Sequence, residues 1–239
     1  MTFDVILQQL AAGFGKTLLI FFLTLAFSLP LGLLVCLGRM SRWAPFRALG
    51  KPGCTAALRR LASFRPLCLI FKFCISILRG TPLMLQLLAV CYGPYYLFHA
   101  KLSAGWTFTA LILGFVINYA AYFAEIYRGG IESIPRGQYE AAQVLGYTKA
   151  QTFFKIILPQ MVKRVIPAVT NEVITLVKDT SLASVIGTVE MFTRAKQIVA
   201  SPNTPGMLAL VAAGVFYYVF NYVVAFAMEK WEQALRYYR

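Results

Sequence analysis

Acidic residues are what this 239-residue chain has least of: nine Asp and Glu stand against 23 Lys and Arg, and charged residues make up only 13%. A soluble domain carries roughly a quarter of its residues charged. With 59% hydrophobic residues and a mean hydropathy of +0.67, the chain is expected to be an all-α integral membrane protein. Histidine is nearly absent. His99 stands beside Lys101 with no Cys, Asp or Glu nearby, which offers neither a metal set nor a catalytic constellation. No catalytic, metal-ligating or cofactor-binding residues are expected in this chain.

Cysteine is sparse and unpatterned. Cys36, Cys54, Cys68, Cys74 and Cys91 are odd in number, match no metal-ligand spacing and lie in or beside apolar segments, so buried free thiols are expected. A phosphate-binding loop is missing too: Gly15-Lys16-Thr17 resembles the end of one, but Leu10 stands where the motif needs glycine. No internal repeat or low-complexity tract is visible. That counts against a self-contained secondary transporter or channel, and the missing nucleophile or metal cluster counts against a membrane-embedded enzyme.

What is present begins with apolar runs. Segments 14–38, 82–98, 104–127 and 206–229 are candidates to cross a bilayer, and 165–190 is a more polar fifth. Between the first two lies segment 39–79, with nine Lys and Arg from Arg39 to Arg79 and no acid. The excess of positive charge on cytoplasmic loops puts this segment inside, the N-terminus outside and the C-terminus, with Lys230, Arg236 and Arg239, inside. The net charge of +14 is then a topology and anionic-lipid signal, and nucleic acid is not an expected partner. The start of the chain has no basic segment before Lys16 and reads as a retained first span. Within the basic segment, 67–78 predicts an interfacial helix started by Pro66, broken by Gly80-Thr81-Pro82 where the chain turns into the bilayer.

The specific text is a polar hairpin over 129–160. Pro135 suits a helix start, Glu140-Ala141-Ala142 suits a helix interior, and Gly146 is the expected left-handed terminator. Thr148 and Gln151 have capping-box spacing, predicting a second helix through Phe153, Phe154, Ile156 and Ile157 until Pro159, after Leu158, ends or kinks it. On the fourth span, Glu172, Thr175, Leu176 and Asp179 share a helical face by spacing. Charges at membrane depth are costly, so Glu172, Lys178 and Asp179 should face protein or a water-filled cavity. Glu172 and Asp179 either line a solute path or pair with Lys178 or Arg79 to fix packing. Glu125 and Arg128 read as a local ion pair.

The hairpin pattern resembles the permease subunits of bacterial ABC importers, and further segments resemble their polar amino acid branch, the histidine, glutamine, arginine and opine permeases. These are Arg79-Gly80-Thr81-Pro82-Leu83 with Gln86, then Asn118, Ala121-Tyr122, Glu125, Arg128-Gly129, Ile134-Pro135 and Gly137-Gln138. Asn171-Glu172 and Lys178-Asp179-Thr180-Ser181-Leu182 follow. The long basic stretch 42–65 departs from the family's short link and has no assigned task.

The resemblance implies a single permease domain over 1–239, with five helices of the type I importer architecture, in the bacterial cytoplasmic membrane. Its implied partners are ABC ATPase subunits carrying ATP and Mg, a second permease chain that is identical or a sister, an extracytoplasmic amino acid-binding protein and membrane lipid. Glu140, Ala141, Ala142, Gly146, Ile156, Leu158 and Pro159 would couple to the ATPase. An amino acid carries an ammonium group, so Glu172 would pair with it. Asn171, Thr175, Asp179, Asn118 and Thr81 would line the path, and the cargo itself stays open.

Overall fold

The computed structural model describes residues 2–41, 43–46, 63–202 and 206–235. Most of the basic stretch 42–65, and Arg236 and Arg239 of the tail, lie outside the described residues. The described chain is helical throughout, with no strand among those residues.

Helix α1 spans Phe3–Arg39. At about 1.5 Å per residue its 37 residues reach roughly 55 Å, well beyond a bilayer core of about 30 Å. Helix α2 (Pro66–Gly80) starts on Pro66. Helix α3 (Leu83–Phe98) follows after a bend of 110°, so the expected turn at Gly80-Thr81-Pro82 is present. His99 closes α3 with φ 51°, donating its backbone N–H to the Tyr95 carbonyl. The chain's one histidine therefore serves as a left-handed cap, a conformation that His tolerates better than most side chains.

Helix α4 (Ala104–Glu132) begins where the Ser103 hydroxyl accepts from Trp106 N–H. Helix α5 (Arg136–Val144) and the single turn α6 (Lys149–Gln151) form the hairpin. A π-helical turn over Thr152–Ile157 runs straight into α7 (Leu158–Asp179). Two further pieces, a 3₁₀ turn over Thr180–Ile186 and helix α8 (Met191–Ala200), lead to α9 (Gly206–Ala234). By length and apolarity α1, α4 and α9 can each cross a membrane, and the bent pair α2 and α3 can together supply a fourth crossing.

Contacts fix the helix directions. Gly32 of α1 packs on Phe123 of α4, and Arg39 pairs with Glu125, so these two helices run parallel. Trp106 Nε1 donates to the Cys91 carbonyl and Gly114 meets Leu87, setting α3 antiparallel to α4. Tyr119 bonds Asp179 while Gly130 meets Val165, which sets α7 antiparallel as well. Helix α9 runs parallel to α1 through Phe14 against Phe216 and Phe21 against Phe220. Alternating direction is what successive crossings require. The main core lies at the centre, where Ile20, Leu87, Leu111, Phe115, Phe123, Leu176 and Val177 are buried together.

Of the two outcomes expected at Pro159, ending the helix is excluded, because the chain stays helical from Lys149 to Asp179. Proline has no N–H and clashes with the preceding turn. The wide π turn sits immediately before it and absorbs both effects. The fifth apolar segment, 165–190, is not one continuous helix either: α7 stops at Asp179 and the chain tightens before Gly187 turns it with φ 77°. The link that follows is also more than a loop, since α8 occupies it.

Candidate functional site

The hairpin stands beyond the α4 and α7 ends, at the end of the bundle where Arg39 leaves α1. Its bend is a complete glycine stop: Gly146 has φ 73°, Tyr147 N–H donates to the Ala142 carbonyl at 3.0 Å, and Gly146 N–H donates to the Gln143 carbonyl at 3.0 Å. The restart is the expected capping box. Gln151 N–H donates to Thr148 Oγ1 at 3.3 Å, and Thr148 N–H donates to Gln151 Oε1 at 2.9 Å. The base is tied down as well: Gln160 donates to Gln138 and to the Ile156 carbonyl, and Arg164 donates to the Ser133 carbonyl.

Side-chain placement divides the motif. Glu140, Ala141, Gly146 and Pro159 are exposed. Ile156 and Leu158 are half-buried, and Ala142 is fully buried inside the hairpin. The small size of Ala142 thus serves internal packing, not contact with a second chain. Apolar side chains outside the expected coupling set also face out. Val144 is 88% exposed, Leu145 72% and Phe154 64%. Two apolar residues at the end of a polar helix, immediately before its glycine stop, were the available signal.

The second cluster surrounds Asp179. Its carboxylate accepts from the Tyr119 hydroxyl at 2.7 Å, although Tyr119 itself is 2% exposed. Pairing with Lys178 or Arg79 was one of the two alternatives; Arg79 lies 5.1 Å from the centre of the Tyr122 ring. Glu172 is half-buried within electrostatic range of Arg79 and Asp179. Asn171 and Thr175 are exposed, joined by a bond from Thr175 Oγ1 to the Asn171 carbonyl at 2.9 Å. Leu176 does not share their environment: it points into the core at 0% exposure. A stretch of α7 therefore presents two carboxylates beside an arginine and two tyrosines, with the exposed polar groups of Asn171 and Thr175 next to them.

Asn118 and Thr81 belong to a third arrangement. Gln86 Nε2 donates to the Leu78 carbonyl at 2.7 Å and to Thr81 Oγ1 at 2.8 Å, while Asn118 Nδ2 donates to Gln86 Oε1 at 2.9 Å. These bonds satisfy the carbonyls that the α2–α3 bend leaves open. Arg79 lies in the same bend, so the network adjoins the Asp179 cluster. Glu125 pairs with Arg128 at 2.6 Å as expected, but it also reaches Arg39, linking α4 to α1 at the hairpin end. Among the described residues no group of three His, Cys, Asp or Glu could hold a metal ion.

Known proteins resemble this chain in sequence and fold. Residues 53–237 match the model of a family described as binding-protein-dependent transport system inner membrane component. An L-cystine transport system permease protein of Bacillus subtilis is 36% identical over 179 residues, 75% of either chain. An arginine transport system permease protein of the same organism is 37% identical over 185 residues, 77% of this chain and 82% of that one. A solved chain described as an amino acid ABC transporter with histidines superposes with a TM-score of 0.79 at 28% identity, covering 98% of this chain and 99% of its own.

Proposed function

This chain belongs to the binding-protein-dependent transport system inner membrane component family, and from that premise we propose that it is the permease subunit of an ATP-driven importer that moves a polar amino acid inward. It has the all-helical type I ABC permease fold and works in the bacterial inner membrane as a path for solute, while a separate ATPase subunit hydrolyses ATP with Mg. The whole of 1–239 acts as one membrane domain. Five crossings, near 14–38, 82–98, 104–127, 165–190 and 206–229, run from an outside N-terminus to an inside C-terminus. The positive-inside charge pattern and the alternating helix directions support that count and orientation.

The observation that carries the reading is the hairpin. It is closed at its bend by backbone bonds and at its restart by the Thr148 and Gln151 side chains, bonded to α7 through Gln138 and Gln160, and tipped with exposed Val144 and Leu145. Such a knob serves contact with another protein, since exposed apolar pairs on a rigid element are interface features. Glu140, Ala141, Gly146, Ile156, Leu158 and Pro159 frame that contact, and Ala142 keeps the knob compact. Closure of an ATPase dimer moves the hairpin, and the stiff helix from Lys149 to Asp179 carries the motion into the bundle as rigid-body displacement.

The path runs along the polar side of α7. The Glu172 carboxylate receives the substrate ammonium, with Asp179, Asn171 and Thr175 beside it. Asn118 and Thr81 shape the bend that borders them. A second permease chain, identical or a sister, completes the pathway, and an extracytoplasmic amino acid-binding protein delivers the cargo. The membrane lipids face α9 and the outer sides of α1 and α3.

The test is reconstitution of the chain with its ATPase and binding protein in vesicles, scoring which amino acid stimulates ATP hydrolysis and is taken up. Glu172→Gln should lose most uptake while still assembling. Unchanged kinetics in that variant would remove Glu172 from the path, and ATPase-independent uptake would favour a secondary transporter.

A further inference from the structure

The carboxylate most deeply committed to bonding in this molecule is one that neither motif nor spacing singled out. Glu190 stands at the start of α8 with 0% exposure. Its Oε1 accepts from Thr193 N–H at 2.7 Å and from the Thr193 hydroxyl at 2.9 Å. Its Oε2 accepts from Phe192 N–H at 2.6 Å and from the Tyr217 hydroxyl of α9 at 3.2 Å. Taking a carboxylate out of water is costly unless donors of this kind surround it. A helix cap alone does not need that expense, because an exposed Ser, Thr or Asp does the same work. The bond to Tyr217 is what a cap leaves unexplained.

The surroundings give that bond a purpose. Helix α8 is wedged between α1 and α9: Met191 N–H donates to Thr17 Oγ1 at 3.3 Å, and a Cβ added at Gly13 would come within 2.8 Å of Met191 Cα. Met191, Ala195 and Ile198 are buried with Ile6, Leu10, Ala209, Ala212 and Ala213. Phe192 and Tyr217, the two residues bound to Glu190 Oε2, both line a cavity of about 310 Å³ that also contains Lys178 and Ser181. Lys178 follows Asn171 and Thr175 on one exposed face of α7 by spacing, so this cavity lies at the C-terminal end of that polar face.

We propose that Glu190 is a positioning residue for import: through Tyr217 it holds α8 on α9, so that the two walls of the cavity move as one body. The assignment rests on the import reading and its orientation, which puts α8 on the side that meets delivered substrate. Each carboxylate oxygen takes one backbone N–H, which cannot be reversed. Glu190→Gln keeps the shape but turns an NH₂ group against one of those N–H groups. Tyr217→Phe is subtler: it leaves the α8 cap intact and removes the tie to α9, together with the Tyr217 hydroxyl's contacts with Thr17 and Thr180. Thr193→Val removes a bond within the α8 cap and spares the tie.

The experiment uses the complete importer. Ser181→Cys is labelled from the outside with a water-soluble maleimide, with the signal from the native cysteines subtracted. Uptake of radiolabelled L-arginine and L-cystine is followed in the same variants without that cysteine. Labelling should quicken at least threefold in Tyr217→Phe and Glu190→Gln, and the half-saturation for uptake should rise about fivefold. ATP hydrolysis without substrate and the amount of assembled complex should stay within twofold, and Thr193→Val should behave as wild type. Equal labelling in Tyr217→Phe, or a change in Glu190→Gln alone, overturns the tie. A wild-type importer that takes up neither probe, nor any other amino acid, tells against the import reading instead; the labelling result still decides the tie.

Discussion

The hairpin and the α8 region sit at opposite ends of the bundle, and each is built around a helix terminus and a glutamate. In the hairpin, Glu140 is exposed and takes no part in closing the helix ends, since the Gly146 bend and the Thr148–Gln151 box take the orphan groups. At α8, Glu190 is buried and its side chain does the closing, for its own helix and for Tyr217 of α9. The first region leaves Glu140, Val144 and Leu145 exposed. The second consumes its distinctive side chain in holding the chain together. That difference explains why the hairpin carries a recognisable motif and the α8 region does not.

The comparison is broken most directly at the hairpin tip. Replacing Val144 and Leu145 together by Asp should leave the chain inserted and folded, since both are exposed at 88% and 72%. Burying a Val or Leu side chain is worth about 1.5–3 kcal/mol each. The double variant should therefore lose ATPase association by roughly a hundredfold or more, read by co-purification, with uptake at background. Normal association would mean that the tip is not the contact.

At the other end the same kind of change should damage the chain itself. Glu190→Ala takes that acceptor from four donors, the Phe192 and Thr193 N–H groups and the Thr193 and Tyr217 hydroxyls, and removes a helix cap. A lost cap costs about 1 kcal/mol and buried unsatisfied donors about 1–3 kcal/mol, so thermal unfolding in detergent should show a loss of about 2–4 kcal/mol. A variant as stable as wild type would place water or lipid where the structure has a closed cluster.

Legibility in the sequence follows the same line. The helix caps of the hairpin could be read because glycine, threonine and glutamine at fixed offsets act locally. The π turn before Pro159 could not, because its cause, a proline continuing a helix instead of ending it, depends on the packing of α7. Crossings 14–38 and 206–229 stood out by apolar length. The break after Asp179 did not, since Thr180–Ile186 is as apolar as what precedes it and its 3₁₀ geometry is set by neighbours. Asp179 and Tyr119 are sixty positions apart, and no local pattern joins them. Glu190 belongs to no local pattern either, since its bond to Tyr217 joins α8 to a separate helix 27 positions on.

Gly146→Glu tests the hairpin's shape rather than its surface. A Cβ added there meets nothing within 4 Å, so space is not the obstacle. Its φ of 73° is, at about 1–2 kcal/mol for a residue other than glycine. The chain should still insert, and co-purified ATPase should fall about tenfold as the two helices lose their fixed angle. Wild-type coupling in this variant would show that the angle is dispensable.

The smallest effect should come from Glu140→Gln. Glu140 is exposed, so its loss of charge should change the stability of the isolated chain by less than about 0.5 kcal/mol. At an ATPase surface it acts as a rim charge, worth about 0.2–1 kcal/mol and screened by salt. Association should weaken no more than about fivefold, and the remaining binding should lose part of its dependence on ionic strength. Titration of the ATPase at low and high salt checks both. A loss as large as that of the Val144 and Leu145 double variant would mean that Glu140 is buried at the docked surface with a bonded partner. The hairpin's glutamate would then resemble Glu190 after all, with its donors supplied by the second protein.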